Sequence, residues 1–197
     1  MEIIQCDQRS DVWREARRGM MTGSNAKLIM TGGKTLESYI YQIMSEKYCN
    51  VPRETFVSYA MQQGIDNEPI ARELYEKRTK RRVREVGFIK YNDYAGVSPD
   101  GLVGKYGAIE IKCPTDSVYF RVLVDNYIDP AYMAQMQMLL LVTGRKWCDY
   151  VVYNGNFEQD MVIIRVSPDE KIQAKIKEGL IKGEEIIKSI EEKLLNK

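Results

Sequence analysis

The stretch from Gly96 to Pro114, GVSPDGLVGKYGAIEIKCP, constrains the fold of this chain more than any other segment. It predicts two short strands joined by a glycine-rich turn, and side chains along a strand alternate between its two faces. In AIEIK the two isoleucines therefore share one face, while Glu110 and Lys112 share the other. Asp100 leaves the first strand, so we expect two carboxylates and one amine to point the same way.

The residue types in this stretch indicate metal-dependent chemistry on a phosphate. Asp100 and Glu110 supply hard, anionic oxygens, and Mg²⁺ prefers one or two carboxylates completed by waters and phosphate oxygens. Lys112 beside them would orient or help to deprotonate a water, or would neutralise charge that develops on a phosphate.

A simpler interpretation is that Glu110 and Lys112 lie on the solvated face of a half-buried strand, as a bare E-x-K usually does. Here, however, Pro99-Asp100 stands at a glycine turn ten residues before Glu110. This spacing is the signature of the PD-(D/E)XK nucleases. The motif is loose by itself, so the function needs support from the rest of the chain.

Length and composition limit the alternatives. A chain of 197 residues that is 44% hydrophobic can bury a core, and we expect one nuclease domain over residues 1–197. The absence of histidine excludes Ser-His-Asp triads, Cys-His pairs, His-ligated zinc and a histidine general base. The net charge of +1 identifies no partner, so the local distribution of charge must decide.

Cysteine usage and hydropathy indicate a reducing compartment. The four cysteines form no C-x-x-C pair and are expected to be free, buried thiols: Cys6, Cys49, Cys113 and Cys148. No apolar stretch approaches the length that spans a membrane, and the first residues do not form a signal peptide. We expect a soluble, cytoplasmic chain without a membrane partner.

The beginning of the chain offers a second candidate site. Residues 10–18 predict a short helix capped by a serine, and residues 20–25 form a turn that opens a second helix. Arg17, Thr22 and Ser24, with free amides at that helix start, could hold a phosphate. Hydroxyl residues before a helix are more often only N-caps.

Periodicity predicts the remaining elements and an α/β (α+β) fold with a central mixed sheet flanked by helices. Predicted helices occupy residues 35–49, a segment from Pro52 to Gly64, a segment from Pro69 to Lys77, and residues 116–126 and 130–143. Predicted strands occupy residues 83–91, 95–103, 108–112, 147–153 and 161–166. From about residue 168 an amphipathic pattern predicts one C-terminal helix, or two helices broken near Gly183.

The sequence leaves two interpretations open for each of two charged features. Pro69 suits the first turn of a helix, which places Glu68 at a helix start. There Glu68 either favours the helix dipole or adds a third acidic group to the pocket. The basic run from Arg78 to Arg84 is either a solvated connection or a contact for a phosphate backbone.

The chain resembles lambda exonuclease and the related YqaJ-like viral recombination exonucleases, from Trp13 to about Tyr153. Four blocks carry this resemblance: WREARRG (13–19) with TGS (22–24), GIDNE (64–68), SPDGL (98–102) with EIKCP (110–114), and YMAQMQ (132–137). It implies a restriction-endonuclease-like PD-(D/E)XK core. It also implies hydrolysis of one strand of linear duplex DNA from 5′ to 3′, which releases mononucleotides and leaves a 3′ single strand for recombination.

The resemblance also implies roles for individual residues. The Mg²⁺ ligands would be Asp100, Glu110 and the backbone carbonyl of Ile111, with Glu68 helping to hold a second ion and Mn²⁺ as a substitute. Lys112 would position and activate the attacking water, supported by Gln135 and Tyr132. The 5′-phosphate of the DNA end would be held by Arg17, Ser24 and Thr22, although Arg18 is an alternative to Arg17.

Further expectations from the resemblance concern the assembly and its origin. Members of this family form ring-shaped homotrimers around DNA and act with a single-strand annealing protein, and a phage or bacterial origin would follow. The residue that splits the duplex end has three candidates: Leu28, Ile29 and Met30. Two other functions stay open, namely an endonuclease on the same fold and a non-catalytic module that binds DNA ends.

Overall fold

The computed structural model describes residues 2–50 and 58–196, which form nine strands, seven α-helices and one short 3₁₀ helix (Gly23–Asn25). The strands are β1 (Glu2–Ile4), β2 (Met21–Thr22), β3 (Val83–Arg84), β4 (Phe88–Asn92), β5 (Ala95–Val97), β6 (Gly101–Val103), β7 (Gly107–Lys112), β8 (Trp147–Tyr153) and β9 (Met161–Val166). The helices are α1 (Asp11–Arg17), α2 (Ala26–Thr31), α3 (Gly33–Tyr48), α4 (Tyr59–Thr79), α5 (Asp116–Asp125), α6 (Pro130–Thr143) and α7 (Glu170–Leu195).

The strands form two mixed sheets, which confirms the predicted mixed α/β fold class. One sheet has the order β1-β4-β5-β2 and the other has the order β3-β6-β7-β8-β9. Within them, β2 runs parallel to β5 and β7 parallel to β8, while the other pairs are antiparallel. The predicted strands at 83–91 and 95–103 are each divided between the sheets. Pro99 lies at the second division, where its missing N–H cannot join a ladder.

Strand β7 is buried on both faces. Its isoleucines, Ile109 and Ile111, join a small cluster with Ala71 and Tyr75 of α4. On the opposite face, Ala108 belongs to the larger core that includes side chains of α2, α3, α6 and α7. The predicted alternation along β7 is confirmed, and it carries Glu110 into the interior on the side of the larger core.

Helix α4 corrects the prediction of a new helix at Pro69. One helix runs through this position, so Glu68 lies in a helix interior and not at a helix start. A proline inside a helix costs about 3 kcal/mol, but Ala71 and Tyr75 are fully buried against the five-stranded sheet and hold the helix in place. The predicted helix start after Pro52 lies outside the described residues.

Helix α7 is continuous, so a break near Gly183 is excluded. Two of its glycines pack where a side chain would collide. A Cβ on Gly179 would lie 2.2 Å from the carbonyl oxygen of Ile29, and one on Gly183 would lie 2.4 Å from Sδ of Met21. These glycines therefore let α7 approach α2 and β2 closely.

The remaining outcomes concern the cysteines and the membrane. All four cysteines are free as predicted, but only Cys148 is buried, while Cys49 is exposed and Cys6 and Cys113 are half-buried. Among the described helices, none combines the length and the apolar character needed to cross a bilayer.

Candidate active site

The five-stranded sheet brings Asp100 and Glu110 together. Asp100 directly precedes β6, and the antiparallel pairing of Gly101 with Ile109 places it beside Glu110 on β7. Its Oδ2 accepts a hydrogen bond of 2.7 Å from the backbone N–H of Ile111. Both carboxylates line one cavity of about 150 Å³.

The two oxygens of Glu110 have different surroundings. Oε1 accepts hydrogen bonds from Nζ of Lys112 at 2.5 Å and from Nε2 of Gln135 at 2.6 Å. Oε2 is buried and has no hydrogen-bond partner in the described part of the chain. Since the residue is only 1% exposed, this oxygen is a buried anionic acceptor that lacks a donor or a cation.

The electrostatics of the pair also indicate a missing positive charge. Burial, together with the charge of Glu110, raises the pKa of Asp100 above its ordinary value. Burial alone would lower the pKa of Lys112, but the charges of Glu110 and Asp100 outweigh it and raise that pKa. One ammonium thus faces two carboxylates. The donor set of hard oxygens fits a divalent cation such as Mg²⁺.

Helix α6 contributes the supporting side chains. Pro130 stands in its first turn and Asp129 caps it, which fixes where the helix begins. Tyr132 and Gln135 are three residues apart and share a face, as predicted. Gln135 contacts Glu110, and Nζ of Lys112 lies 5.0 Å from the centroid of the Tyr132 ring.

The other end of the same cavity is cationic. Arg17 lines it, donates from Nη1 to Oγ of Ser98 at 3.2 Å and lies 3.9 Å from the centroid of the Trp13 ring. Burial lowers the pKa of Arg17 to about 10, so the guanidinium remains charged at neutral pH. No carboxylate within the described residues forms an ion pair with Arg17. It is therefore free to meet an anion in the cavity.

Hydroxyl groups complete this cationic end. Thr22 and Ser24 also line the cavity, and their side-chain oxygens lie 3.2 Å apart. The backbone N–H of Thr22 donates to the hydroxyl of Tyr39 at 3.1 Å. This bond fixes the turn that presents both hydroxyls.

Arg17 and Arg18 point in different directions. Arg18 turns to the end of α3, where it donates to the carbonyl oxygens of Glu46 at 3.1 Å and Cys49 at 2.9 Å. Only Arg17 of the two lines the cavity. Among the candidates for splitting a duplex, Ile29 is fully buried and therefore unsuitable.

Glu68 does not line the cavity that holds the Asp100–Glu110 pair. Its two oxygens accept from Nη2 of Arg9 and Nη2 of Arg72, each at 2.7 Å. It lines a neighbouring cavity of about 270 Å³ that shares Asp100 as part of its wall. In the described residues, no three acidic or cysteine side chains are grouped closely enough to hold a metal. A metal-binding role for Glu68 therefore stays a prediction.

The structure adds residues that the sequence analysis did not assign. Oγ of Ser98 accepts from Nε1 of Trp13 at 2.9 Å as well as from Arg17, so it braces the cationic end. Nε2 of Gln8 donates to the carbonyl oxygen of Pro99 at 2.8 Å and steadies the loop before Asp100. Ser98 belongs to the SPD block, so a sequence motif could have identified it. No sequence motif points to Gln8.

Comparisons with known proteins identify the family and the fold. The sequence model of the YqaJ-like viral recombinase domain matches residues 12–146. An alkaline exonuclease from Laribacter hongkongensis is 30% identical, with a TM-score of 0.82 over 95% of this chain and 99% of that chain, and its complex with dAMP matches equally well. A phage-related exonuclease from Haemophilus somnus 129PT shares the fold, with a TM-score of 0.67 at 14% identity over 89% of this chain and 96% of that one. No curated protein matched by sequence.

Proposed function

Because the chain belongs to the YqaJ-like viral recombinase family, we propose that it is a Mg²⁺-dependent exonuclease. It degrades one strand of linear duplex DNA from 5′ to 3′ and leaves a 3′ single strand for homologous recombination of the phage type. The observation that carries this proposal is the Asp100–Glu110 pair, in which Glu110 is buried and its Oε2 has no hydrogen-bond partner among the described residues. The cavity that both carboxylates line also contains Arg17.

The carboxylates define where the metal would be held. Asp100, Glu110 and the carbonyl oxygen of Ile111 would bind one ion, and Glu68 would hold a second ion or its waters, with Mn²⁺ as a substitute. When bound, such an ion polarises the phosphodiester and lowers the pKa of a coordinated water. Gln135 keeps Glu110 in place through its bond to Oε1, and Oε2 has no hydrogen-bond partner among the described residues.

Lys112 is the proton-handling group of the site. Its bond to Glu110 keeps Nζ protonated. If a cation took up the negative charge of Glu110, the pKa of Lys112 would fall, because that charge would no longer stabilise the ammonium of Lys112. As its pKa falls, Nζ would release its proton to solvent, and the neutral amine would then orient the attacking water and accept a proton from it. The ring of Tyr132 limits the directions in which the amine can turn.

The cationic end of the cavity would hold the 5′-phosphate of the terminal nucleotide. Arg17 supplies the charge, Ser24 and Thr22 supply hydroxyl donors, and Ser98 holds the guanidinium in place. With the phosphate fixed there, the first phosphodiester would reach the carboxylates, and a mononucleotide would be released. The dAMP complex of the Laribacter enzyme supports this product class.

The assembly is proposed on family membership alone. We infer that residues 1–197 act as one nuclease domain, that three copies form a ring around the DNA, and that a single-strand annealing protein receives the exposed strand.

The decisive experiment gives the purified protein linear and covalently closed duplex DNA, with Mg²⁺ or with EDTA. We expect linear DNA to be degraded from its 5′ ends with Mg²⁺ only, and closed circles to survive. Cutting of closed circles would identify an endonuclease instead. Binding of linear DNA without degradation would identify a module that only recognises ends.

Arg17→Ala tests the cationic pocket. Wild-type protein should degrade 5′-phosphorylated ends about tenfold or more faster than 5′-hydroxyl ends, since one hydrogen bond to a charged group contributes about 1.5–3 kcal/mol. Arg17→Ala should remove this preference. Arg14→Ala is the matched control, because Arg14 lies on the same helix, is 62% exposed and pairs with Asp11. A preference that survives in Arg17→Ala would place the phosphate elsewhere.

A further inference from the structure

A dense group of basic side chains covers the end of the five-stranded sheet where β7 begins. We name it the sheet-end surface. Its members are Lys80, Arg81, Arg82, Arg84, Lys105, Arg145, Lys146 and Arg165. All are exposed except Arg145, which is half-buried, and an exposed aromatic ring, that of Tyr106, lies among them. The group includes part of the basic run from Arg78 to Arg84, which has no role in the proposed active site.

Backbone contacts bring these distant segments together. Nη1 of Arg145 donates to the carbonyl oxygens of Gly104 at 2.9 Å and Gly107 at 2.5 Å. The backbone N–H of Lys146 donates to the carbonyl oxygen of Tyr106 at 2.8 Å. The connection between α6 and β8 is thus attached to the turn between β6 and β7, and the basic run joins them through β3, which pairs with β6.

Trp147 organises the arginines on one side of this surface. The guanidinium carbons of Arg81 and Arg165 lie 5.0 and 4.0 Å from the centroid of its ring. Both arginines also pair with the buried Asp149. Their positions are therefore fixed while about two fifths of each side chain stays exposed, at 42% and 45%.

The other cations of the surface lack counter-charges. Within the described ranges, no ion pair joins Lys80, Arg82, Arg84, Lys105, Arg145 or Lys146 to a carboxylate. Burial and the nearby charge of Arg84 both lower the pKa of Arg145. Like charges held this close repel each other, and a polyanion would relieve that repulsion. The chain as a whole carries a net charge of only +1, so this local excess is a specific feature.

The position of the surface relates it to the active site. Paired residues of a ladder share a face, so Arg84, opposite Leu102, lies on the face that carries Ala108 and Glu110. Glu110 is three residues along β7 from Gly107, or about 10 Å at 3.4 Å per residue. One duplex with its end in the cavity is long enough to reach the sheet end.

We propose that the sheet-end surface binds the phosphate backbone of duplex DNA away from the end that is cut. The inference rests on the proposed action on DNA, but it concerns binding and not hydrolysis. Lysines and arginines without carboxylate partners, spread around one end of a sheet, suit a repeating row of phosphates better than a single compact anion. The contact would be independent of sequence and would hold the duplex during successive cuts.

The test measures the affinity of a fluorescent duplex of about 40 base pairs in EDTA, across about 50–200 mM salt. Arg82→Ala/Arg84→Ala is the test variant, because neither side chain makes a hydrogen bond or ion pair with the described residues. Lys175→Ala/Lys177→Ala on α7 removes the same charge as a control. We expect the test variant to bind about tenfold or more weakly and to lose about 2 from the slope of log K against log salt, with the control unchanged.

Equal affinity and slope for wild type and the test variant would overturn the proposal, and would leave the surface to an acidic protein partner. An equal loss in the control would also overturn it, because total charge would then be the cause. If Arg82→Ala/Arg84→Ala does not fold, Lys105→Ala/Lys146→Ala replaces it. A wild-type protein that binds duplex but does not degrade it with Mg²⁺ contradicts the proposed function and leaves this comparison valid.

Discussion

Two buried carboxylates on neighbouring strands of one sheet, Glu110 on β7 and Asp149 on β8, have opposite surroundings. Each is 1% exposed. Ile109 pairs with Asp149 in the parallel ladder, so Asp149 points to the face of α4 and Glu110 to the other face. The sheet thus presents the same chemical group to two different environments.

Asp149 is completely satisfied. Arg165 donates to both of its oxygens, at 2.8 and 2.9 Å, and the hydroxyl of Tyr75 donates to Oδ2 at 2.8 Å. Arg81 adds a further positive charge at 3.5 Å. Glu110, in contrast, shares the charge of one lysine with Asp100, and its Oε2 has no hydrogen-bond partner in the part of the chain that the structure describes. Removing a buried carboxylate that has complete partners would leave those partners uncompensated and destabilise the fold, whereas we infer that the incomplete pair of carboxylates is suited to a cation.

The largest expected effect is on catalysis. Glu110→Gln should lower the rate of DNA hydrolysis by about 10³-fold or more, or about 4 kcal/mol in activation free energy. Its free energy of unfolding without metal should change by less than about 1 kcal/mol, because the variant loses repulsion from Asp100 together with attraction to Lys112. Single-turnover rates and urea unfolding measure the two quantities. If Glu110→Gln lost much stability and kept normal activity, Glu110 would be a structural residue like Asp149 and the contrast between the two would be wrong.

Asp149→Ala should show the opposite behaviour. It leaves Tyr75 and two arginines without their acceptor, and we expect a loss of about 3 kcal/mol in unfolding free energy, since the arginines can be rehydrated. Activity per folded molecule should be retained. Asp160→Ala is the control, because Asp160 pairs with Arg78 at the surface and should lose less than about 1 kcal/mol. If Asp149→Ala and Asp160→Ala lost equal unfolding free energy in urea, the buried ion pairs of Asp149 would contribute no more to stability than a surface pair.

Mg²⁺ should stabilise the wild-type protein. At a concentration about 100 times its Kd, binding to the folded state alone adds about 2.7 kcal/mol to the unfolding free energy. Thermal unfolding with and without Mg²⁺ measures this, and Asp149→Ala should keep the increase while Glu110→Gln loses it. An increase that persists in Glu110→Gln would place the ion elsewhere.

The smallest effect concerns pH in the metal-free protein. The pKa of Asp100 is raised in the folded state. At pH values above the ordinary pKa of an aspartate, the folded state therefore binds more protons than the unfolded state. Stability should therefore fall as pH rises through neutrality, by less than about 1.4 kcal/mol per pH unit for one proton. Asp100→Asn should flatten this dependence in urea unfolding from pH 5 to pH 8. If wild-type stability rose from pH 5 to pH 8, the pKa of Asp100 could not be raised in the folded protein as described.

The features that the sequence predicted are those that neighbouring residues determine. Alternation along β7 placed Glu110 and Lys112 together, the capping serine set the start of α1, and a spacing of three placed Tyr132 and Gln135 on one face. Each of these depends on backbone geometry over a few residues. The predicted fold class and family followed from such patterns in order along the chain.

The features that the sequence did not predict depend on contacts between distant segments. Glu68 meets Arg9, which is far away in sequence, and α4 continues through Pro69 because of tertiary packing. Asp149 stands in an apolar strand with no local sign of Arg165 or Tyr75. The division of strands between two sheets was equally hidden, since each piece is too short to show where it pairs.

The most direct test of the central claim is a crystal structure of the protein with Mn²⁺, with the ion located by its anomalous scattering. We expect a peak between the carboxylates of Asp100 and Glu110, about 2.1 Å from an oxygen of each, with Oε2 of Glu110 as one of those oxygens. An empty site at saturating Mn²⁺, with Lys112 still bound to Glu110, would contradict the claim that this pair holds the metal.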